Sequence, residues 1–205
     1  MVQQLHEKQN RAETPALPEV LENNPLTGWL RDKGWAWHEH QLEVLESAKS
    51  GKDTLLIAPT GGGKTMAGFL PSFVDLCAHS HPEHTLHTLY ISPLKALAVD
   101  VHRNVGAPIE ELSLPITYET RTGDTPASKR QRQKTKPPHM LMTTPESLAL
   151  LLSYEESDKY FKHLKYIVLD EIHALMHSKR GDLLSLNMAR LAELAPEAQR
   201  IGLSA

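Results

Sequence analysis

Cysteine is almost absent. Cys77 is the only one in 205 residues, so no disulfide can form within the chain, and a reducing compartment is the expected setting. Long apolar runs are missing too: none approaches the ~20 residues that span a bilayer. The polar N-terminus has no signal-peptide core. The expectation is a cytoplasmic protein with no membrane partner. Neither sign of charge dominates, since 22 basic against 25 acidic residues leave a net charge of −3. Nothing global therefore demands nucleic acid, and any such contact has to come from a local patch. Internal repeats and low-complexity segments are also lacking. The 40% of apolar residues is enough for one sizeable α/β domain.

What is present is an ordered alternation. Short apolar runs at Thr54–Ala58, Thr88–Ser92, Ile116–Thr120, Met140–Thr143, Tyr166–Leu169 and Arg200–Leu203 read as strands. Helical patterns separate them at His40–Lys49, Thr65–Ala78, Leu94–Asn104, Pro126–Gln133, Pro145–Leu152 and Leu183–Leu194. Strand then helix, repeated, predicts an α/β fold with a parallel sheet and helices on both faces. Pro71, inside the second helix, is expected to bend it. Residues 1–24 are polar, contain Pro15 and Pro18, and read as a flexible arm. Residues 25–205 form the domain.

In such sheets ligands bind beyond the carboxyl ends of strands. The first strand runs into Ala58-Pro59-Thr60-Gly61-Gly62-Gly63-Lys64-Thr65. Strand, glycine-rich turn, Lys-Thr, helix is the arrangement that grips nucleotide phosphates, because loop amides and a helix N-terminus point at an anion. Lys64 would reach the β- and γ-phosphates and the Thr65 hydroxyl would bind Mg²⁺. Ala58 stands where the pattern usually has Gly, a position that only needs to be small. The fifth strand ends in Asp170-Glu171-Ile172-His173. Two adjacent carboxylates at the rim of a core repel and resist desolvation unless a cation offsets them. Asp170 would hold the Mg²⁺ shell, Glu171 would orient the attacking water, and His173 would sense the γ-phosphate. The cofactors expected are ATP and Mg²⁺.

Together these two motifs resemble those of superfamily 2 helicases of the DExH group, whose ATP-binding domain has a RecA-like fold. Gln41 resembles the glutamine that reads the adenine edge. Ser92-Pro93-Leu94-Lys95-Ala96-Leu97 and Thr144-Pro145-Glu146-Ser147 resemble motifs Ia and Ib, and Ile201–Ala205 resembles the start of motif III. "SPLKALA", "RTGDT", "TTPESL" and "SKRGD" look like the large helicase-related (Lhr) branch, most closely its DNA-ligase-associated DExH members. The resemblance implies an ATP-driven motor on single-stranded nucleic acid, DNA favoured over RNA, moving 3′ to 5′ in DNA repair, with a functional link to a DNA ligase. It also implies that catalysis needs a second RecA-like domain, which supplies an arginine finger and is not in this sequence.

On that resemblance Pro93, Lys95, Thr144, Pro145 and Glu146 are candidates for binding the sugar–phosphate backbone. Arg121 to Lys136 carries six basic residues against one acid. It flanks a nucleic-acid channel or is a solvated amphipathic helix, with Arg121, Thr122 and Gly123 as candidates in the first case. Trp35 or Trp37 either stacks on adenine or packs the N-terminal segment. His79, His81, His84 and His87 cluster near Cys77, where a solvated loop is favoured over a Zn²⁺ site. RNA remodelling, or nucleotide and nucleic-acid binding without turnover, are the competing functions.

Overall fold

The computed structural model describes residues 17–59, 61–93, 102–176 and 178–205. Six strands form one sheet: β1 Thr54–Ile57, β2 Thr88–Ile91, β3 Tyr118–Arg121, β4 Met140–Thr143, β5 Tyr166–Leu169 and β6 Gln199–Ser204. Their order is β1-β6-β5-β2-β4-β3, and every pairing is parallel. The expected α/β parallel sheet is therefore present, with each predicted strand within about two residues of its place.

Ten α-helices are described: α1 Glu19–Glu22, α2 Pro25–Asp32, α3 Glu39–Lys49, α4 Lys64–Ala78, α5 Ala107–Glu111, α6 Ala127–Thr135, α7 Pro145–Leu152, α8 Ser157–Phe161, α9 Ile172–Leu175 and α10 Lys179–Leu194. A π-helical turn, His102–Gly106, leads into α5. The predicted helix Leu94–Asn104 lies largely outside the described residues. Local chemistry accounts for several starts. Asn24 Oδ1 accepts from Leu26 N at 3.0 Å ahead of Pro25, and Thr144 Oγ1 accepts from Ser147 N at 3.4 Å ahead of Pro145. Pro71 is buried within α4 without ending it.

The two-residue period of the strands sorts their side chains onto two cores. Tyr90, Met140, Met142, Val168, Ile201 and Leu203 face α1–α5. Leu89, Ile91, Leu141 and Ile167 face α7–α10. The second layer does not extend over the edge strand β1, where Leu55 and Ile57 stay exposed. Leu21 is fully buried in the first core, with Leu17 and Val20 packed against it. The packed chain thus begins before Pro25, inside the segment expected to be an arm. Its sparse apolar residues join a core that the local sequence does not reveal. Among the described residues no helix is long and apolar enough to cross a membrane.

Candidate nucleotide site and nucleic-acid face

Gly61 and Gly63 take positive φ, +82° and +73°, and Gly62 N closes a turn on Pro59 O at 3.2 Å. This backbone lifts the loop off β1 and aims it into α4, whose first residue is Lys64. Lys64 is buried, and its Nζ donates to Ala58 O at 2.6 Å and Pro59 O at 3.0 Å. Among the described residues the ammonium is thereby held by carbonyl oxygens. Thr60 lies outside the described residues. Gln41 is buried; its Oε1 accepts from His38 N at 2.9 Å and its Nε2 donates to Gly63 O at 3.2 Å. Both ends of its amide are committed, so Gln41 fixes the phosphate loop against α3 in this structure.

At the end of β5, Asp170 is buried. Its Oδ1 accepts from Glu171 N at 2.9 Å and its Oδ2 from the Tyr90 hydroxyl. Burial pushes its carboxyl above the usual carboxylate range, against the Tyr90 hydrogen bond and the nearby Lys64 charge. Glu171 sits in the left-handed region at φ +51°, a conformation that costs a non-glycine residue about 1 kcal/mol or more. His173 Nε2 lies 3.1 Å from Glu171 Oε2, and its Nδ1 lies 3.0 Å from Ser204 Oγ and 3.3 Å from Ala205 N. The backbone N–H of Ala205 can only donate, so it points to Nδ1 as acceptor and Nε2–H as donor to Glu171.

The two halves meet. A cleft of about 420 Å³ is lined by Gly61, Gly63, Lys64, Thr65, Asp170 and Glu171 on its polar side. Trp29, Leu30, Trp35, Met66 and Asn104 complete the wall. Of the two tryptophans weighed for stacking, Trp35 lines this cleft and is 48% exposed, set edge-on to Trp29 at 5.7 Å. Trp37 points elsewhere: its Nε1 donates to Thr27 Oγ1 at 3.1 Å, and it lines a separate apolar pocket. Asn104 escaped the sequence reading because only the folded chain brings it to the loop.

One candidate for nucleic-acid contact is corrected by the structure. Arg121 is buried, donating to Arg130 O at 2.9 Å and to the Tyr154 hydroxyl. Its guanidinium holds α6 to the domain and is not presented to a ligand. The Glu146 carboxylate is forked onto Arg180, with Nε 2.5 Å from Oε1 and Nη2 3.1 Å from Oε2. The guanidinium holds that carboxyl below the usual range, and the pair leaves open the expectation for this segment, which concerns backbone N–H groups. Thr144 is buried as the cap of α7, and the Pro145 carbonyl accepts from Asn187 Nδ2 at 2.8 Å. Pro93 O accepts from Arg180 Nη1 at 2.6 Å. Lys95 lies outside the described residues. The basic run is partly neutralised: Arg132 and Lys129 pair with Glu119 of β3 at 2.7 and 3.7 Å, and Lys134 sits 3.4 Å over the Tyr154 ring. That favours the solvated amphipathic helix.

Among the described residues, Asp75, His79 and His81 bring donor atoms within 4.8 Å of one another. Asp75 already has a cation: Lys165 Nζ stands 2.7 Å from its Oδ1, while His87 Nε2 lies 2.7 Å from its Oδ2. The cluster is anchored at the amino ends of the strands, away from the phosphate loop.

The DEAD/DEAH box helicase family matches residues 38–205. The chain belongs to this family. It is 38% identical over 200 residues to an ATP-dependent helicase Lhr-Core of Methanocaldococcus jannaschii, covering 91% of this chain and 23% of that protein. It is 42% identical over 177 residues to an Lhr helicase/probable uracil glycosylase of Mycolicibacterium smegmatis, covering 80% of this chain and 12% of that protein. The structure of the Mycobacterium smegmatis helicase Lhr bound to ssDNA and AMP-PNP superposes with a TM-score of 0.74 at 41% identity, over 88% of this chain and 24% of that one. The Lhr resemblance of the short motifs and the RecA-like fold class both agree with these matches. The chain spans a quarter or less of the length of these relatives.

Proposed function

We propose that this chain is the ATP-binding motor domain of an ATP-dependent DNA helicase or translocase that couples ATP hydrolysis to movement on single-stranded DNA. The observation that carries the reading is the single cleft lined by both the phosphate loop and the acid pair. A buried carboxylate pushed up by desolvation, beside a lysine tied to two carbonyls, is a donor set that a magnesium-bound triphosphate would complete.

Bound Mg²⁺ would neutralise charge developing on the phosphate oxygens. Thr65 and Asp170 would hold that ion. Lys64 would exchange its two carbonyls for phosphate oxygens, and the amides of Gly61 to Gly63 would cradle the same group. Glu171 would orient the attacking water, accepting its proton. His173, between Glu171 and Ser204, would pass the state of the site to β6. Trp35 would bound the adenine through its exposed face, and Gln41 would reach the adenine edge by giving up its bonds to His38 N and Gly63 O. A second RecA-like domain bringing an arginine finger is part of this reading; such a residue is worth about 10³–10⁵ in rate. The DNA preference draws support from the Mycobacterium smegmatis Lhr structure, which holds ssDNA and AMP-PNP. A role in repair beside a DNA ligase rests on the resemblance of the "YISPLKALAVDV" and "TRTGDTPASKRQRQ" phrases.

The test is Lys64→Ala in the full-length protein. DNA-stimulated ATP hydrolysis should disappear, whereas undiminished turnover refutes the assignment. Stimulation by RNA equal to or above that by DNA would move the substrate class to RNA.

A further inference from the structure

We infer that Arg180 is a positioning residue: a three-point strap that ties the turn after β2 to the start of α7 and makes both follow the acid segment Asp170–His173. The inference rests on the nucleotide and nucleic-acid reading above and assigns a role to a residue that takes no part in it.

The geometry begins with the guanidinium. Nε and Nη2 fork onto the two oxygens of Glu146, and Nη1 donates to the carbonyl of Pro93 at 2.6 Å. Pro93 follows β2, Glu146 opens α7 after β4, and Arg180 opens α10. One planar fork thus joins three elements separated by 53 and 34 residues of chain. Lysine could satisfy only part of this set, because its point charge lacks the paired, coplanar donors. A second bond runs beside the first: Asn187 Nδ2, two turns further along α10, donates to Pro145 O at 2.8 Å.

The other end of the strap reaches the nucleotide site. α9 starts directly after Glu171 and ends at Leu175. Leu175 O accepts from Ser178 N at 3.0 Å and Ser178 Oγ at 2.9 Å, and Ser178 O accepts from Gly181 N at 2.8 Å. A Cβ on Gly181 would lie 2.3 Å from Leu175 O, so the backbone of α10 rests directly on the end of α9 and only glycine allows it. A displacement of the acid segment therefore has a short, backbone-on-backbone route to Arg180, and from there to Pro93 and Glu146. Both ion-pair partners are partly exposed, so solvent screening leaves the pair a minor contributor to stability. Its three acceptors are what it organises.

The experiment compares Arg180→Ala, Arg180→Lys and wild type in the full-length protein. Hydrogen exchange of the Ser147 and Leu148 amides, read without any ligand, should speed up by about tenfold in Arg180→Ala as the start of α7 loosens. The thermal midpoint and the AMP-PNP affinity should stay near wild type. The ratio of ssDNA affinities with and without AMP-PNP should collapse towards one, from a coupling of about 5- to 150-fold. Arg180→Lys should restore less than half of either loss. Unchanged exchange in Arg180→Ala overturns the strap. Faster exchange with the nucleotide-dependence of DNA binding intact overturns the coupling. If wild type binds neither AMP-PNP nor ssDNA, the functional reading fails and the coupling with it, while the exchange readout still decides the strap.

Discussion

His173 Nδ1 lies 3.0 Å from the hydroxyl oxygen of Ser204, joining the helix after β5 to the end of β6. The same imidazole touches Glu171 through Nε2, so the residue proposed to orient water and the last residue of the final strand share one ring. Ser204→Ala removes one of two groups that hold Nδ1, leaving Ala205 N at 3.3 Å. The expected outcome in the full-length protein is a fall of about tenfold in DNA-stimulated kcat with nucleotide affinity unchanged, the pattern of an interaction needed only during turnover. Steady-state kinetics beside a nucleotide titration checks it.

Gly63 and Gly61 offer a graded pair. Both have positive φ, but a Cβ at Gly63 would also lie 2.7 Å from Gln41 Nε2, whereas one at Gly61 meets nothing within 4 Å. Gly61→Ala should weaken nucleotide binding by about fivefold through backbone strain of ~1 kcal/mol. Gly63→Ala should weaken it further, since Gln41 must also move. Fluorescent-nucleotide titration gives both numbers, and equal effects would remove Gln41 from the account.

Trp35 lines the nucleotide cleft and Trp37 does not, although both line the apolar pocket beside it. Trp35→Ala should raise the dissociation constant for an adenine nucleotide about tenfold, within the ~1–3 kcal/mol of base–aromatic stacking. Trp37→Ala should leave that constant alone and lower the melting temperature, because its ring packs with Thr27 and its neighbours. The reverse pattern would reassign the stacking face.

The histidine cluster sets the response to acid. Burial holds His87 and His139 below the ordinary 6.5, and the folded state keeps them neutral. The unfolded chain therefore takes up protons first as pH falls below 6.5, and stability drops from there. Asp75 adds a second loss at lower pH. Although burial alone would raise its carboxyl, His87 and Lys165 together hold it far below the ordinary 3.8, so its contribution is complete above that value and fades as pH falls through it. Urea midpoints between pH 8 and pH 3 should decline in those two stages. Asp75→Asn should abolish the second and cost about 2 kcal/mol at pH 7, where Lys165 loses its partner. A pH-independent midpoint would contradict the assignment.

The phosphate loop and the acid pair were legible before folding because their chemistry needs neighbours in the chain. Glycines adjacent to Lys64-Thr65, and Asp170 adjacent to Glu171, keep their spacing whatever the tertiary structure does. The strands were legible for a related reason: Leu89 and Tyr90, or Ile167 and Val168, are apolar on both faces, as strands buried on both sides must be. The short helices α1, α2, α5, α8 and α9 carry too few turns for a period to show, and they form where tertiary contacts hold them.

What the sequence determined by itself is the order of strands and helices along the chain and the two ends of a nucleotide site. What only the tertiary structure decided is the assignment of long-range partners. Arg121 and Arg180 are both arginines near a motif, yet one is buried under α6 and the other straps two turns together. The same holds for Trp35 and Trp37, and for Glu146, whose charge meets a guanidinium 34 residues away. Composition and spacing fix what a side chain is able to bond. Which of its possible partners it meets depends on how parallel strands with long crossovers bring distant turns to one edge of the sheet.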